Sequence, residues 1–316
     1  MRRKERVLAF LLAGIIGTAA AAGCGAAEPG STKTITQSDD GNAAGIAETS
    51  GTTAEASDDV RTGENMEESD TTIEEQVLLD AENVKITAVS YEEDAVWGDG
   101  IKLLIENNGS ASVGVGSKAT IVNNYMITDL FSSTVAPGKK AYDTLYLTSP
   151  QLKAAGIDNV GQVEIYFYLF DADTYATTYE ADSVTVKTSR YDVMDTTPND
   201  DGQELYQADG IRIVGKYVDE DSIWGNAIVL YLENDTDQNV TIQCDDLSVN
   251  GFMMTPFFSC DLYAGKMAIS DITLLSSELG ENGISSVDDV ELKFKIINPD
   301  TYETIRETGP ITFSAK

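Results

Sequence analysis

Apolar and polar residues alternate along most of the chain after residue 76, with the period of two that is typical of β-strands. The clearest alternations are Val84, Ile86 and Ala88, then Ile101, Leu103 and Ile105, and then Val163, Ile165, Phe167 and Leu169. Asn123-Asn124 and Asn250-Gly251 lie between apolar runs and predict hairpin turns, and residues 149–156 predict one helical turn. About seven strands with little helix in roughly 110 residues favour a two-sheet β-sandwich.

The same segment occurs twice, at residues 76–187 and 203–314, without a gap and with a constant offset of 127 residues. Trp97-Gly98 and Trp224-Gly225 show the offset, and so do Gly138-Lys139 and Gly265-Lys266. A fixed period defines structural repeats. We therefore predict an all-β fold of two tandem β-sandwich domains, residues 76–190 and 203–316, joined by a linker at residues 191–202.

Short motifs recur in both repeats. In the second repeat they lie at residues 232–234, 249–253, 265–266, 278–284 and 300–302, and the first repeat keeps Glu106-Asn107, Asn123, Met126, Gly138-Lys139 and Gly156-Ile157. On these motifs residues 76–316 resemble a broad group of extracytoplasmic proteins of Gram-positive bacteria that carry Ig-like β-sandwich repeats of the immunoprotective extracellular type. The resemblance implies two tandem Ig-like domains of about seven strands each. It implies no catalytic residues.

Residues 1–23 predict an export signal, because four basic residues among the first six precede an uncharged apolar stretch. This apolar stretch is shorter than the roughly 20 residues that a transmembrane helix usually needs. Residues 21–24 resemble a bacterial lipobox, which implies that Cys24 is acylated and becomes the first residue after cleavage. Two acyl chains would hold the protein stably on a membrane. The alternative is ordinary signal cleavage that leaves Cys24 free.

Residues 24–75 predict a disordered acidic tether. Residues 25–75 contain 13 acidic and 2 basic residues and no aromatic residue, so they have too little apolar surface to offset the entropy of ordering. A flexible chain of this length reaches about 40 Å. A helical or partner-binding acidic tail is the alternative.

The formal net charge of −32 argues against a nucleic-acid partner, because phosphates would be repelled. It argues equally against a chain that lies flat on an anionic bilayer. The chain contains no histidine, which removes histidine-activated serine or cysteine nucleophiles and the usual zinc sites. We therefore predict neither a catalytic residue nor a resident cofactor.

Trp97 and Trp224 each follow an acidic stretch and precede a glycine. One interpretation is a calcium-binding loop, since carboxylate oxygens suit that ion. The other is structural, with each tryptophan plugging the end of its sandwich. The spacing of the acidic residues is not that of an EF-hand, which favours the structural interpretation.

Cys244 and Cys260 occur only in the second repeat, where the first has Ser117 and Ser133. Export favours a disulfide between them. The strand register opposes it: a tight turn at Asn250-Gly251 would place Cys260 opposite Thr241, on the face away from Cys244. Two buried free thiols are the alternative.

The repeats differ on one predicted outer face. If residues 171–174 form a four-residue loop, Tyr166 pairs with Tyr179 beside Tyr168, and all three point away from the core. The second repeat has Lys293, Arg306 and Lys295 at these positions, respectively. We expect an aromatic recognition surface on one repeat and a basic one on the other. The alternative is that these faces pack on each other or are simply solvated.

Together these features predict a lipid-anchored protein on the extracytoplasmic face of the cell membrane that acts as a non-catalytic binding or scaffolding module. Its ligand would be a protein or a cell-wall polymer. An accessory or chaperone subunit of an envelope complex is the alternative. An envelope hydrolase is a weaker one, because the chain lacks histidine.

Overall fold

The computed structural model describes residues 70–93, 98–128, 131–147, 149–222 and 224–314, which belong to one compact unit. The predicted signal peptide, Cys24, nearly all of the tether and Trp97 lie outside the described residues. Within the described ranges, no helix has both the length and the apolar character needed to span a bilayer.

The described part of the first repeat contains ten strands and one short helix. They are β1 (Gln76–Ala81), β2 (Val84–Glu92), β3 (Gly100–Asn107), β4 (Val113–Val122), β5 (Tyr125–Ile127), β6 (Ser132–Val135), β7 (Lys140–Tyr146), α1 (Ser149–Ala154), β8 (Gln162–Asp171), β9 (Thr177–Glu180) and β10 (Val184–Lys187). A 3-10 turn (Tyr191–Val193) follows.

The described part of the second repeat contains the same elements in the same order. They are β11 (Gln203–Ala208), β12 (Ile211–Ser222), β13 (Gly225–Asn234), β14 (Val240–Val249), β15 (Phe252–Met253), β16 (Ser259–Leu262), β17 (Lys266–Leu275), α2 (Ser276–Glu281), β18 (Asp289–Ile297), β19 (Thr304–Glu307) and β20 (Ile311–Ser314). Each begins within two residues of its counterpart after the offset of 127. The prediction of an all-β fold is confirmed, with ten described strands in each repeat where about seven were expected.

Each repeat contributes two sheets. In the first repeat, strands β1-β2-β3-β7 form one sheet, and β10-β8-β4-β5 form the other, with β6 and β9 pairing to β4 and β8. In the second repeat the corresponding orders are β11-β12-β13-β17 and β15-β14-β18, with β16, β19 and β20 pairing to β14 or β18. Each pair of sheets encloses its own hydrophobic core.

The predicted alternations place the core correctly: all ten apolar residues cited above from the first repeat are buried. Burial of each large aliphatic side chain contributes about 1.5–3 kcal/mol to folding. The hairpin turns are also confirmed, since Asn123-Asn124 and Asn250-Gly251 all have positive φ, as a type I′ turn requires. The predicted helical turn forms at Ser149–Ala154, and Gly156 follows it with φ +75°.

Two asparagines that recur in each repeat fix the loops between strands. Buried Asn107 donates to the carbonyls of Ala111 and Val135, and Asn234 makes the equivalent bonds in the second repeat. The Oδ1 atoms of Asn123 and Asn250 each accept two backbone N–H groups from the segment before β8 or β18. The shared motifs therefore satisfy buried backbone groups, which accounts for their presence in both copies.

The two repeats share one continuous sheet. Strand β5 of the first repeat pairs in parallel with β17 of the second, with Tyr125 opposite Met267 and Met126 opposite Ala268. The segment that connects the repeats is held in place by Asn199, whose N–H donates to the Tyr125 hydroxyl and whose carbonyl accepts a bond from Lys216.

Candidate binding surfaces

The predicted aromatic trio does not share one face. Tyr179 pairs with Leu169 rather than with Tyr166, and its ring packs against the core of the first repeat. The prediction was wrong because the loop after β8 is two residues longer than assumed and a bulge after Leu169 adds a third. An odd shift of register moves a side chain to the opposite face.

The predicted basic trio separates for the same reason. Arg306, the counterpart of Tyr179, lies opposite Ile296 and pairs with Asp209 in the turn between β11 and β12. Lys293 pairs with Asp246, and Lys295 lies opposite Glu307. The three cations therefore have separate acidic neighbours instead of forming one basic surface.

Tyr166 lies in the contact between the repeats. Its ring meets that of Tyr263 edge to face, with 5.0 Å between centroids, and its hydroxyl donates to Glu164 at 2.8 Å. The alternative that these faces pack on each other therefore holds for Tyr166. Tyr168 alone of the trio stays on the outer surface of β8.

Tyr168 belongs to a row of three rings that we name the aromatic row: Tyr168, Phe170 and Tyr175. The Phe170 ring lies 5.7 Å from Tyr168 at an interplanar angle of 32° and 6.1 Å from Tyr175 at 20°. Phe170 is buried between them, Tyr168 is half-buried and Tyr175 is 74% exposed. The aromatic row thus has one solvent-exposed ring at its end, that of Tyr175, which stacks on Phe170.

Glycines on the neighbouring strand β4 form the floor of the aromatic row. Gly114 lies opposite Phe170 and Gly116 opposite Tyr168. A Cβ on Gly114 would overlap the Phe170 ring, and one on Gly116 would come within 2.5 Å of Tyr168. The second repeat has Thr241 and Gln243 at these positions and Lys295 and Ile297 in place of the two rings, so the row is specific to the first repeat.

Tyr175 is held in a left-handed backbone conformation with φ +60°, which is uncommon for a large side chain. Asp171 stabilises the turn, because its Oδ1 accepts from the N–H groups of Asp173 and Thr174. Tyr302 occupies the equivalent turn at φ +58° and is 78% exposed. At both turns an exposed tyrosine is therefore held in a backbone conformation that is unfavourable for a bulky side chain.

Phe170 and Tyr175 were not among the residues predicted from the sequence. A signal was present: residues 166, 168 and 170 are aromatic with the period of a strand, and Gly114 and Gly116 alternate with inward-facing valines. Small residues opposite large ones on an outer face are typical of rings that lie flat on a sheet.

The contact between the repeats is a second built surface. Tyr125 is 4% exposed and meets Tyr231 edge to face at 6.4 Å. Together they form a small apolar cluster with residues of both repeats, namely Ala155, Val214, Val229, Met267 and Ile269. Residues 227–232 are apolar without a break, whereas Lys102 interrupts the counterpart segment, residues 100–105. That unbroken run is the sequence signal for a strand covered on both faces.

An ion pair lies at the edge of this contact. Lys266 Nζ lies 2.6 Å from Glu164 Oε2, and both side chains are mostly buried. Burial by itself raises the pKa of Glu164, but the bonds from Lys266 and Tyr166 outweigh it and leave that pKa below its ordinary value. Glu164 is therefore ionised at neutral pH and holds the two repeats together.

The hairpin of the second repeat is exposed where that of the first is covered. Phe252, the counterpart of Tyr125, is 47% exposed, and Met253 is 67% exposed. Trp224 is 71% exposed, so the interpretation that it plugs the end of the sandwich was wrong. Gly225 follows it with φ +148°, and the Trp224 carbonyl accepts from Ser276 at the start of α2, which leaves the ring outside.

Both cysteines of the second repeat are buried free thiols, which is one of the two alternatives that the sequence left open. The predicted strand register was wrong, because Cys260 pairs with Ile242 and shares the inward face with Cys244. Such diagonal positions leave about 7 Å between Cβ atoms, more than a disulfide spans. Burial, aided by the neighbouring aspartates, raises the pKa of each thiol to about 12. Neither is a reactive nucleophile at neutral pH.

Among the described residues, no three carboxylate or thiol side chains lie close enough together to hold a metal ion. The acidic stretch before Trp97 is only partly described, at Glu92 and Glu93. The described surfaces could bind a partner by ring stacking, by ion pairing or by addition of a β-strand.

No family model matches the sequence, and no curated protein matches it. The exo-chitosanase CsxA of Amycolatopsis orientalis aligns in structure with 71% of this chain at 12% identity and a TM-score of 0.22, and the match covers 26% of that enzyme. A protein of unknown function from Porphyromonas gingivalis W83 aligns with 73% of this chain and 99% of its own length, at 10% identity and a TM-score of 0.19. Likenesses this weak support no inference about function.

Proposed function

We propose that this chain is a membrane-anchored extracellular lipoprotein that acts as a non-catalytic binding module. Acylated Cys24 would anchor it, the acidic tether of residues 24–75 would extend it, and two tandem Ig-like β-sandwich domains would carry the binding surface. The lipobox resemblance supports the anchor, and the one-to-one correspondence of strands in the two repeats supports the tandem domains.

The aromatic row is the observation that carries the binding function. Tyr175 exposes a ring that is pre-positioned by stacking on Phe170, so little side-chain entropy is lost when a ligand stacks on it. An aromatic ring with a polar hydroxyl suits the flat face of a sugar or a peptide group. We therefore propose a cell-wall polymer as the ligand class.

Cosedimentation with purified, insoluble peptidoglycan tests the binding function. We expect the wild-type protein to sediment with it, and the double substitution Tyr168→Ser and Tyr175→Ser to abolish sedimentation while the circular dichroism spectrum is unchanged. Tyr302→Ser is the matched control, because it removes the equivalent exposed ring of the second repeat. Retained sedimentation of the double variant would rule out the aromatic row as the site.

A wild-type protein that stays in the supernatant would exclude peptidoglycan as the ligand. Crosslinking on intact cells would then reveal whether a defined protein partner is captured, which is the expected result for an accessory subunit of an envelope complex.

The membrane anchor is tested separately by fractionation of cells. Cys24→Ala should move the protein from the membrane fraction to the soluble fraction, because the acylated thiol is gone. A Cys24→Ala protein that remains with the membrane would contradict lipid anchoring.

A further inference from the structure

The two repeats contact each other by strand addition: one repeat, the donor, supplies a strand, and the other, the acceptor, supplies the sheet edge to which that strand is added. The donor is the hairpin of β4 and β5, whose outer strand adds to a sheet edge. The acceptor is the edge strand β17: Met267 N–H donates to the Asn124 carbonyl, and the Asn124 side chain donates to the Gly265 carbonyl. This is strand addition within one chain.

The second repeat carries the same donor hairpin without a neighbour. Its turn, Asn250-Gly251, has the same type I′ geometry as Asn123-Asn124. Strand β15 pairs with β14 and, among the described strands, forms the outer edge of its sheet. Its apolar residues Phe252 and Met253 are exposed, whereas the equivalent Tyr125 is buried by the second repeat.

The first repeat carries the same acceptor edge, also without a neighbour. Strand β7 is the counterpart of β17 and is the outer strand of the β1-β2-β3-β7 sheet in the described part of the chain. Its outward-facing residues Tyr142 and Tyr146 are 64% and 39% exposed. An open edge of this kind can accept a further strand, and its exposed tyrosines would add contact area to that strand.

The side chains at the two open surfaces complement each other. A hairpin docked as in the covered contact would bring Phe252 to Leu104 and Tyr142, which replace Tyr231 and Ile269. Glu291 and Lys139 replace the ion pair of Glu164 and Lys266 at the same positions.

Charge favours the same pairing. The acceptor side of the first repeat carries Lys85, Lys102, Lys139 and Lys140, of which Lys102 pairs with Glu92 and Lys140 with Glu106. The donor end of the second repeat carries Glu281, Asp288, Asp289 and Glu291, all exposed. Opposite charge on two surfaces steers their encounter and fixes its register.

We infer that the second-repeat hairpin of one copy docks on the open β7 edge of another copy, as β5 docks on β17 within the chain. Each copy then has one donor and one acceptor, so the contact is head to tail and leads to an open chain or a ring of copies rather than to a two-fold symmetric dimer. The partner is a second copy of this chain. The inference goes beyond ligand binding and does not depend on it.

Two cysteine variants of the full chain test the geometry, each in a Cys24→Ala background to remove the other accessible thiol. One carries Lys140→Cys on the acceptor and the other carries Phe252→Cys on the donor, because these positions correspond to the paired residues Met267 and Tyr125. A short bis-maleimide should give a cross-linked dimer when the variants are mixed and none with either variant alone. Cys244 and Cys260 do not interfere, since both are buried.

Tyr302→Cys in place of Phe252→Cys is the control, because Tyr302 is more exposed but lies outside the donor hairpin. Its mixture with the Lys140→Cys variant should give no dimer. A dimer from either single variant would show that like surfaces meet and would overturn the inference. Failure of the Lys140→Cys and Phe252→Cys mixture up to the solubility limit would overturn it as well.

Reversing the charges of Glu291 and Lys139 distinguishes specific docking from cross-linking by random collision. Glu291→Lys in the donor variant should lower the dimer yield several-fold, and Lys139→Glu in the acceptor variant should do the same. The two substitutions combined in one mixture should restore the yield, because the ion pair is rebuilt with its charges reversed. Loss without restoration would contradict the proposed register.

Discussion

The hairpins of the two repeats have the same backbone and opposite surroundings. Residues 123–127 and 250–253 form matching turns, yet Tyr125 is 4% exposed and Phe252 is 47% exposed. The difference lies in what faces each hairpin: the second repeat presents Val229 and Tyr231 to the hairpin of the first, whereas Phe252 stays half exposed among the described residues. A donor surface of a repeat that no neighbouring repeat covers stays open, as at the ends of other repeat arrays.

The outer faces of the two equivalent sheets show how the contact is made selective. In the second repeat the face that receives the hairpin carries Val214, Val229, Tyr231, Met267 and Ile269. In the first repeat the same positions carry Thr87, Lys102, Leu104, Lys140 and Tyr142. The first is an apolar surface suited to permanent burial, and the second is a mixed surface suited to a weaker, salt-sensitive contact.

The largest effect is expected from Tyr125→Ala. Removal of a buried aromatic side chain leaves a cavity in the contact between the repeats, so the free energy of unfolding should fall by about 3–5 kcal/mol. Urea denaturation followed by tryptophan fluorescence measures this. The matched change Phe252→Ala should alter the free energy by no more than about 0.5 kcal/mol in dilute solution, because the ring is exposed. Equal decreases in the free energy of unfolding of the two variants would refute the proposed difference between the two hairpins.

Gly114→Thr installs in the first repeat the residue that the second has at position 241. The new side chain would overlap the Phe170 ring, so the ring must move and the aromatic row would be disrupted. We expect a loss of about 1–3 kcal/mol in the free energy of unfolding, typical of overpacking. Gly309→Thr is the control, since a Cβ there meets nothing within 4 Å. Wild-type stability in the Gly114→Thr protein would show that the glycine floor is not required.

The ion pair between the repeats should make stability depend on pH. The pKa of Glu164 is lowered in the folded state, so its contribution is present above the ordinary glutamate value of about 4.3 and is lost as the pH falls through the folded value. We expect Glu164→Gln to be less stable than the wild type by about 1 kcal/mol at pH 7 and to lose this difference on acidification. Denaturant titrations at several pH values measure both. The equivalent change Glu291→Gln, at an exposed position, should alter the free energy of unfolding at pH 7 by no more than about 0.5 kcal/mol at low protein concentration.

The sequence was informative where structure follows from local pattern and uninformative where it follows from register. Alternation identified the buried residues of the first repeat, and Asn123-Asn124 and Asn250-Gly251 identified the hairpins, because each signal lies within a few neighbouring residues. The face of Tyr179 could not be predicted in this way. A bulge after Leu169 reverses it, and bulges depend on how two strands share hydrogen bonds.

The contact between the repeats was missed for a different reason. Val229 and Tyr231 lie in an unbroken apolar run, which indicates a strand covered on both faces, and no prediction was drawn from that run. The covering element, β5, is three residues long and has no distinctive composition. The aromatic row was partly predicted, through Tyr168, because its period of two is local.

A smaller effect, and one of opposite sign, is expected from Tyr302→Asn. Tyr302 has φ +58°, a conformation that asparagine adopts more readily than tyrosine. The substitution should raise the free energy of unfolding by about 0.5–1 kcal/mol. Tyr175→Asn relieves the same strain but loses the stacking on Phe170, so its gain should be smaller. Thermal denaturation of both variants compares the turns directly, and a larger gain for Tyr175→Asn would show that its ring does not stack productively.

The smallest effect, in principle zero, is expected from a reducing agent. Cys244 and Cys260 lie diagonally across β14 and β16 as free thiols, where the counterparts in the first repeat are serines that cannot be linked. Because no crosslink restrains the unfolded chain, dithiothreitol should leave the melting temperature unchanged. Because burial raises the pKa of each thiol to about 12, a thiol-specific reagent should modify neither in the native Cys24→Ala protein and both after denaturation. A mass lower by two hydrogens without reductant, together with a melting temperature that falls on reduction, would instead show that the second repeat has a covalent restraint that the first lacks.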